Sequence, residues 1–178
     1  GENDGPYKDE KYTSKVDGDF IWVLDMLNEY GVFPHNLATC SPLVVGDLVF
    51  VETSNGVERD HIAIPNPRAP SFLAANKKTG EMVWKSNAPG DGILHGQWSC
   101  PTYGNAGGVP QVLFPGGDGW LSSYKTDEGE VLWKFYHNPK DCEWALGGVG
   151  TCDSRIHQAV ALGDIVYLAE GKDTEHGE

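Results

Sequence analysis

The chain repeats itself, and this restricts its fold more than any single motif does. FLAANKKTGEMVWK (Phe72 to Lys85) and LSSYKTDEGEVLWKF (Leu121 to Phe135) share a short apolar run, a Lys/Thr/Gly turn and then Glu-x-x-Trp-Lys, with Gly80 and Gly129 at the same distance before Trp84 and Trp133. A second element stands ahead of each copy: SPLVVGDLVFV (Ser41 to Val51) before the first and CPTYGNAGGVPQVLFP (Cys100 to Pro115) before the second. HQAVALGDIVYLA (His157 to Ala169) opens a third round. Apolar β-branched runs bounded by Gly-Asp or Thr-Gly read as strand, turn, strand, because glycine supplies the positive φ of a tight turn. Each round predicts two hairpins, hence four strands. Trp84 and Trp133 are separated by about 50 residues, the period of a four-stranded propeller blade. The interval from Trp22 to Trp84 is longer, and the excess falls in residues 55–70, NGVERDHIAIPNPRAP, a Pro-rich loop inserted between strands. The one helical candidate is short, Val23 to Tyr30, and ends at Gly31.

Composition agrees with an all-β chain. The 178 residues include 23 Gly, 11 Pro and 6 Trp, a mixture suited to many short strands and turns. Lys+Arg number 13 against 26 Asp+Glu, so the net charge of −13 and the lack of a basic run argue against nucleic acid and against an anionic membrane surface as partners. No apolar stretch reaches the roughly 18 residues of a membrane helix. Residues 1–18 form a polar N-terminal segment, and GENDGPYKDEKY has neither the basic nor the apolar region of a signal peptide. Opening without Met, the sequence reads as a piece of a longer protein.

The Ala-x-Asx-x-x-Thr-Gly-x-x-x-Trp pattern, at Ala74 to Trp84 and more loosely at Ser122 to Trp133, resembles the pyrroloquinoline-quinone (PQQ) repeat of quinoprotein dehydrogenases and their PQQ-like propeller relatives. The stretches GVFPHNLATCSPLVVGDLVFVETSNGV, ILHGQWSCPTYG, QVLFPGGDGWL and GKDTEHGE are similar to the large secreted PQQ-like propeller proteins of planctomycete-type bacteria. The resemblance implies that residues 1–178 are one partial β-propeller domain of three to four blades of four-stranded antiparallel sheet. It implies a periplasmic or extracellular location and a non-catalytic binding or assembly module, with other chains or further copies meeting its open blade edges. The alternative it implies is part of a PQQ-dependent alcohol or sugar dehydrogenase, with PQQ and Ca²⁺ as cofactors. Against that alternative stands the lack of the adjacent Cys-Cys pair of PQQ alcohol dehydrogenases; hydrolase and nucleotide motifs are also missing.

Candidate site residues follow from position. The repeat positions Trp22, Gly80, Trp84, Gly129 and Trp133 read as blade-on-blade packing, since a large aromatic recurring at a fixed offset serves the fold. Trp98, Trp120 and Trp144 fall outside that offset and adjoin or lie near glycines, which makes them better ligand contacts. His35, His95 and His157 stand at strand starts, which in a propeller gather at one mouth of the central channel. Gln97, Trp98, Asp118, Trp120 and Arg155 are grouped with them as channel-mouth ligand residues. Asp173, Glu175, His176 and Glu178 place four metal-ligating types within six positions, suited to Ca²⁺ by their oxygens and to Zn²⁺ or Mn²⁺ through the histidine. The cysteines Cys40, Cys100, Cys142 and Cys152 allow three full pairings. Cys142 and Cys152 flank the glycine-rich turn EWALGGVG, which is able to bring them together as a disulfide in an oxidising compartment, and four buried thiols are the other reading.

Overall fold

A computed structural model describes residues 8–152 and 157–169. One short helix, α1 (Met26–Tyr30), opens the described chain; Asp25 caps its start by accepting from the Asn28 N–H, and Gly31 ends it in the left-handed conformation. Among the described residues, everything regular after it is β-strand apart from two short 3-10 turns, Gly90–Gly92 and Leu146–Gly148. The first unit contains β1 (Leu43–Val45), β2 (Leu48–Glu52), β3 (Phe72–Asn76) and β4 (Met82–Ser86), paired antiparallel in that order. A second unit repeats the arrangement with β5 (Thr102–Ala106), β6 (Val109–Pro115), β7 (Trp120–Lys125) and β8 (Val131–Tyr136). The hairpin β9 (Val160–Leu162) and β10 (Ile165–Tyr167) begins a third. Four strands are expected of each unit; among the described residues the third has these two.

The sequence repeat is a structural repeat down to individual hydrogen bonds. In both four-stranded sheets the third hairpin turn is closed by a glycine in the left-handed region, Gly80 at φ 75° and Gly129 at φ 67°. Their N–H groups donate to Asn76 O and Lys125 O, and both sheets slip register at the matching place, between Ala74 and Ala75 and between Ser123 and Tyr124.

Units pack face to face. Phe50, Phe72, Ala74 and Trp84 of the first sheet meet Val112, Phe114 and Tyr124 of the second, with Trp84 stacked on Tyr124 at 5.5 Å between ring centroids. Strand β6 turns its alternate residue Leu113 the other way, and Leu113 and Leu121 pack on Ala159, with Ala161 and Val166 beside them. The second sheet is therefore covered on both faces, as its unbroken apolar run VLF anticipates. Two tryptophans tie successive units together. The Trp22 ring lies over Gly80 and its indole N–H donates to Lys77 O at 2.8 Å; the Trp84 ring lies over Gly129 and donates to Thr126 O at 2.8 Å. A Cβ on Gly129 would stand 2.6 Å from the Trp84 ring, so the position is open only to glycine. Trp133 makes a different bond, to Gln111 Oε1 within its own sheet. No helix among the described residues is long and apolar enough to cross a membrane.

Candidate functional site

Three loops at one end of the first sheet bring three imidazoles together. The segment before β1 carries His35, the Pro-rich loop between β2 and β3 carries His61, and the segment leading to β5 carries His95. Because β2 runs antiparallel to β1, its end lies beside the start of β1, so the β2–β3 loop returns to the place where His35 enters. The base of this loop is deeply buried: Thr53, Ser54, Asn55 and Val57 are fully enclosed. Pro34 and Asn55 form a β-bridge, the Asn55 side chain accepts from Phe33 N–H, and Val57 N–H donates to His95 O, so the loop is stitched to both other segments. Gly56 permits this closeness, since a Cβ there would stand 2.7 Å from His95 O and 2.8 Å from His35 Cβ.

His35 and His95 are buried and His61 is half-buried. The three ligating atoms lie within 4.8 Å of one another. His61 Nε2 is 3.2 Å from His35 Nε2 and 3.3 Å from His95 Nε2. His35 Nδ1 is 2.8 Å from Val57 O. A carbonyl only accepts, so the His35 proton sits on Nδ1, and the lone pair of its Nε2 faces both the cluster and the Asn36 amide, whose nitrogen is 3.0 Å away. The turn that presents His61 is organised by Glu58, whose carboxylate accepts from Ile62 N–H and Ala63 N–H at 2.9 Å each. Trp98 closes one side, edge-on to His95 at 5.2 Å between centroids, its indole N–H donating to His35 O. Backbone strain concentrates here. Asn36, Ser54 and His61 have φ of 58°, 63° and 61°, and they are the non-glycine residues of positive φ among those described. Such conformations cost of order 1–3 kcal/mol each and persist where the surroundings enforce them, commonly at functional sites.

Two of the histidines placed at the channel mouth are thus in the cluster, and the third is not: His157 lies exposed ahead of β9. His61 takes its place, a residue the loop assignment passes over. The other grouped residues do different work. Gln97 is buried and its amide donates to Asn55 O and Ser71 Oγ, tying these segments together. Asp118 accepts from Trp120 N–H, and burial raises its carboxyl above the usual range; Trp120 itself packs on Tyr136, partly exposed. Trp144 is exposed and donates to Gly92 O. Arg155 and the C-terminal group Asp173, Glu175, His176 and Glu178 lie outside the described residues. Cys142 and Cys152 are joined by a disulfide across the glycine-rich turn, while Cys40 and Cys100 are free thiols.

The donor set decides which cofactor fits. Three neutral imidazole nitrogens suit Zn²⁺ and its transition-metal neighbours, whereas Ca²⁺ takes six to eight oxygens and no carboxylate joins this group. The Ca²⁺ that accompanies PQQ therefore does not fit the cluster. No protein-family model matches the chain, and no curated protein matches it either.

Proposed function

We propose that the chain is a stretch of PQQ-like β-propeller that acts as a binding module around a transition-metal ion held by His35, His61 and His95. The observation that carries this is the convergence of three Nε2 atoms, two of the separations being 3.2 and 3.3 Å. Two nitrogens each 2.0–2.1 Å from a tetrahedral zinc stand about 3.3 Å apart. A ring nitrogen holds either a proton or an exposed lone pair, so His61 Nε2 is unable to donate to one neighbour while accepting from the other. One cation takes a lone pair from all three at once, displacing the Asn36 amide from His35 Nε2. The net charge of −13 supplies a field that attracts it. Because the three ligands are neutral, a bound dication keeps its full charge, and a three-histidine set leaves a fourth position to water or to an acidic group of a binding partner.

Support for the propeller comes from two features. The first strands of successive units are neighbours, β1 beside β5 and β5 beside β9, as inner strands around an axis are. Trp22 and Trp84 each cap the turn glycine of the following hairpin pair in the same way. Exposed apolar side chains on β8, β9 and β10, among them Phe135, Leu162 and Ile165, favour assembly with other chains or further copies. The test is calorimetric titration of chelator-treated protein with Zn²⁺. One ion per chain is expected, with binding lost in His61→Ala, whose partly exposed position keeps the fold intact by circular dichroism. Absence of binding, or Zn²⁺ binding that His61→Ala leaves unchanged, overturns the proposal.

A further inference from the structure

The geometry points to a second disulfide, between Cys40 and Cys100, stapling the first unit to the second. The two residues are equivalent in the repeat: each stands directly ahead of the first strand of its unit, CSPLVV leading into β1 and CPTYG into β5, and β1 and β5 are neighbours. Ser41 N–H donates to Cys100 Sγ at 3.1 Å. Since that nitrogen is about 2.4 Å from Cys40 Cα by ordinary backbone dimensions, Cys100 Sγ lies within about 5.5 Å of it. From the other side Cys40 Sγ accepts from Glu52 N–H at 3.3 Å, and Cys100 is close enough to perturb the Cys40 thiol. Disulfides span Cα separations of roughly 4.4–6.8 Å, and forming this one would turn the Cys100 sulfur from Ser41 N–H to Cys40 Sγ.

The oxidant is a small-molecule disulfide such as glutathione disulfide. One cysteine thiolate attacks a glutathione sulfur, forming a mixed disulfide and expelling one glutathione thiolate; the second cysteine thiolate then displaces the other. Two protein thiols are oxidised, one disulfide is reduced, and the two protons leave on the glutathione thiols. Burial, reinforced by the neighbouring Glu52 and Cys100, pushes the folded Cys40 thiol up to about 12, so little thiolate exists in the finished fold and the bridge closes while the chain is folding.

The inference is independent of the metal site, and its test makes no use of metal. The reduced full-length chain is refolded in a glutathione buffer oxidising enough to link Cys142 to Cys152. Free thiols are then alkylated, and a non-reduced digest is read by mass spectrometry. A linked Cys40–Cys100 peptide is expected, with Cys100 alkylated instead in Cys40→Ala. Alkylation of both residues in chains whose Cys142–Cys152 peptide is linked, or pairing of either with Cys142 or Cys152, overturns it.

Discussion

Replacing Trp84 by alanine tests how the units are held together. The side chain is 8% exposed and lies among Phe50, Phe114 and Tyr124, with ring centroids at 6.0, 6.2 and 5.5 Å. It also covers Gly129 and satisfies Thr126 O. Truncating a buried tryptophan costs about 3–5 kcal/mol through lost transfer energy and an incompletely collapsed cavity. The cavity would lie between two sheets, each fixed by its own ladder, so little collapse is available and the middle of that range, about 4 kcal/mol, applies. For a chain of this size each kcal/mol lowers Tm by about 2–4 °C, giving a loss of roughly 8–16 °C by differential scanning calorimetry. Trp133→Ala is the comparison. It occupies the same repeat position, is only partly buried and bonds within its own sheet, so it should cost about 1–2 kcal/mol. A Trp84→Ala melt within about 2 °C of the parent, or a larger loss from Trp133→Ala, would refute the docking argument.

Two further outcomes follow from the packing and the charge. Burial, then the neighbouring Cys100 and Asp118, holds the Glu52 carboxyl well above its usual 4.5, so the folded state keeps a proton that the unfolded chain releases from about that pH upward. Stability is lost as pH rises through the folded value; Glu52→Gln should gain on the parent in Tm as pH goes from about 4.5 to 8, and a pH-independent difference would contradict this. Exposed Phe135, Leu162 and Ile165 should drive association once salt screens the net charge, since exposed charges interact over only about 8 Å at physiological ionic strength. Light scattering should rise with salt, and a monodisperse 19.4 kDa species at all salt concentrations would speak against it.

The hairpins were legible because tight turns have few chemical solutions. Gly46-Asp47, Gly107-Gly108 and Gly163-Asp164 announce the two-residue turns, and the Gly80 and Gly129 loops announce the longer ones, so strands β1–β10 fall where alternating apolar runs meet them. The packing role of Trp84 was legible from its recurrence. His61 was not, because residues 55–70 carry no periodic pattern and their burial comes from long-range stitching to Phe33 and His95, which no local signal encodes. One topological clue was present: in an antiparallel pair the end of β2 returns to the start of β1, so a histidine after β2 belongs at the same end as one before β1 and one before β5. His157 shares the third of these positions by sequence, yet it is exposed and lies beyond the second sheet. Gln97 looked like a ligand contact for its place beside His95 and Trp98, but its amide is consumed by Asn55 and Ser71.

The most direct test of the metal site is anomalous diffraction from a crystal grown with Zn²⁺, with data collected on both sides of the zinc edge. The account predicts a peak about 2.0–2.1 Å from Nε2 of His35, His61 and His95 together. A zinc-free cluster, in a crystal whose anomalous peaks all lie elsewhere on the acidic surface, would contradict it.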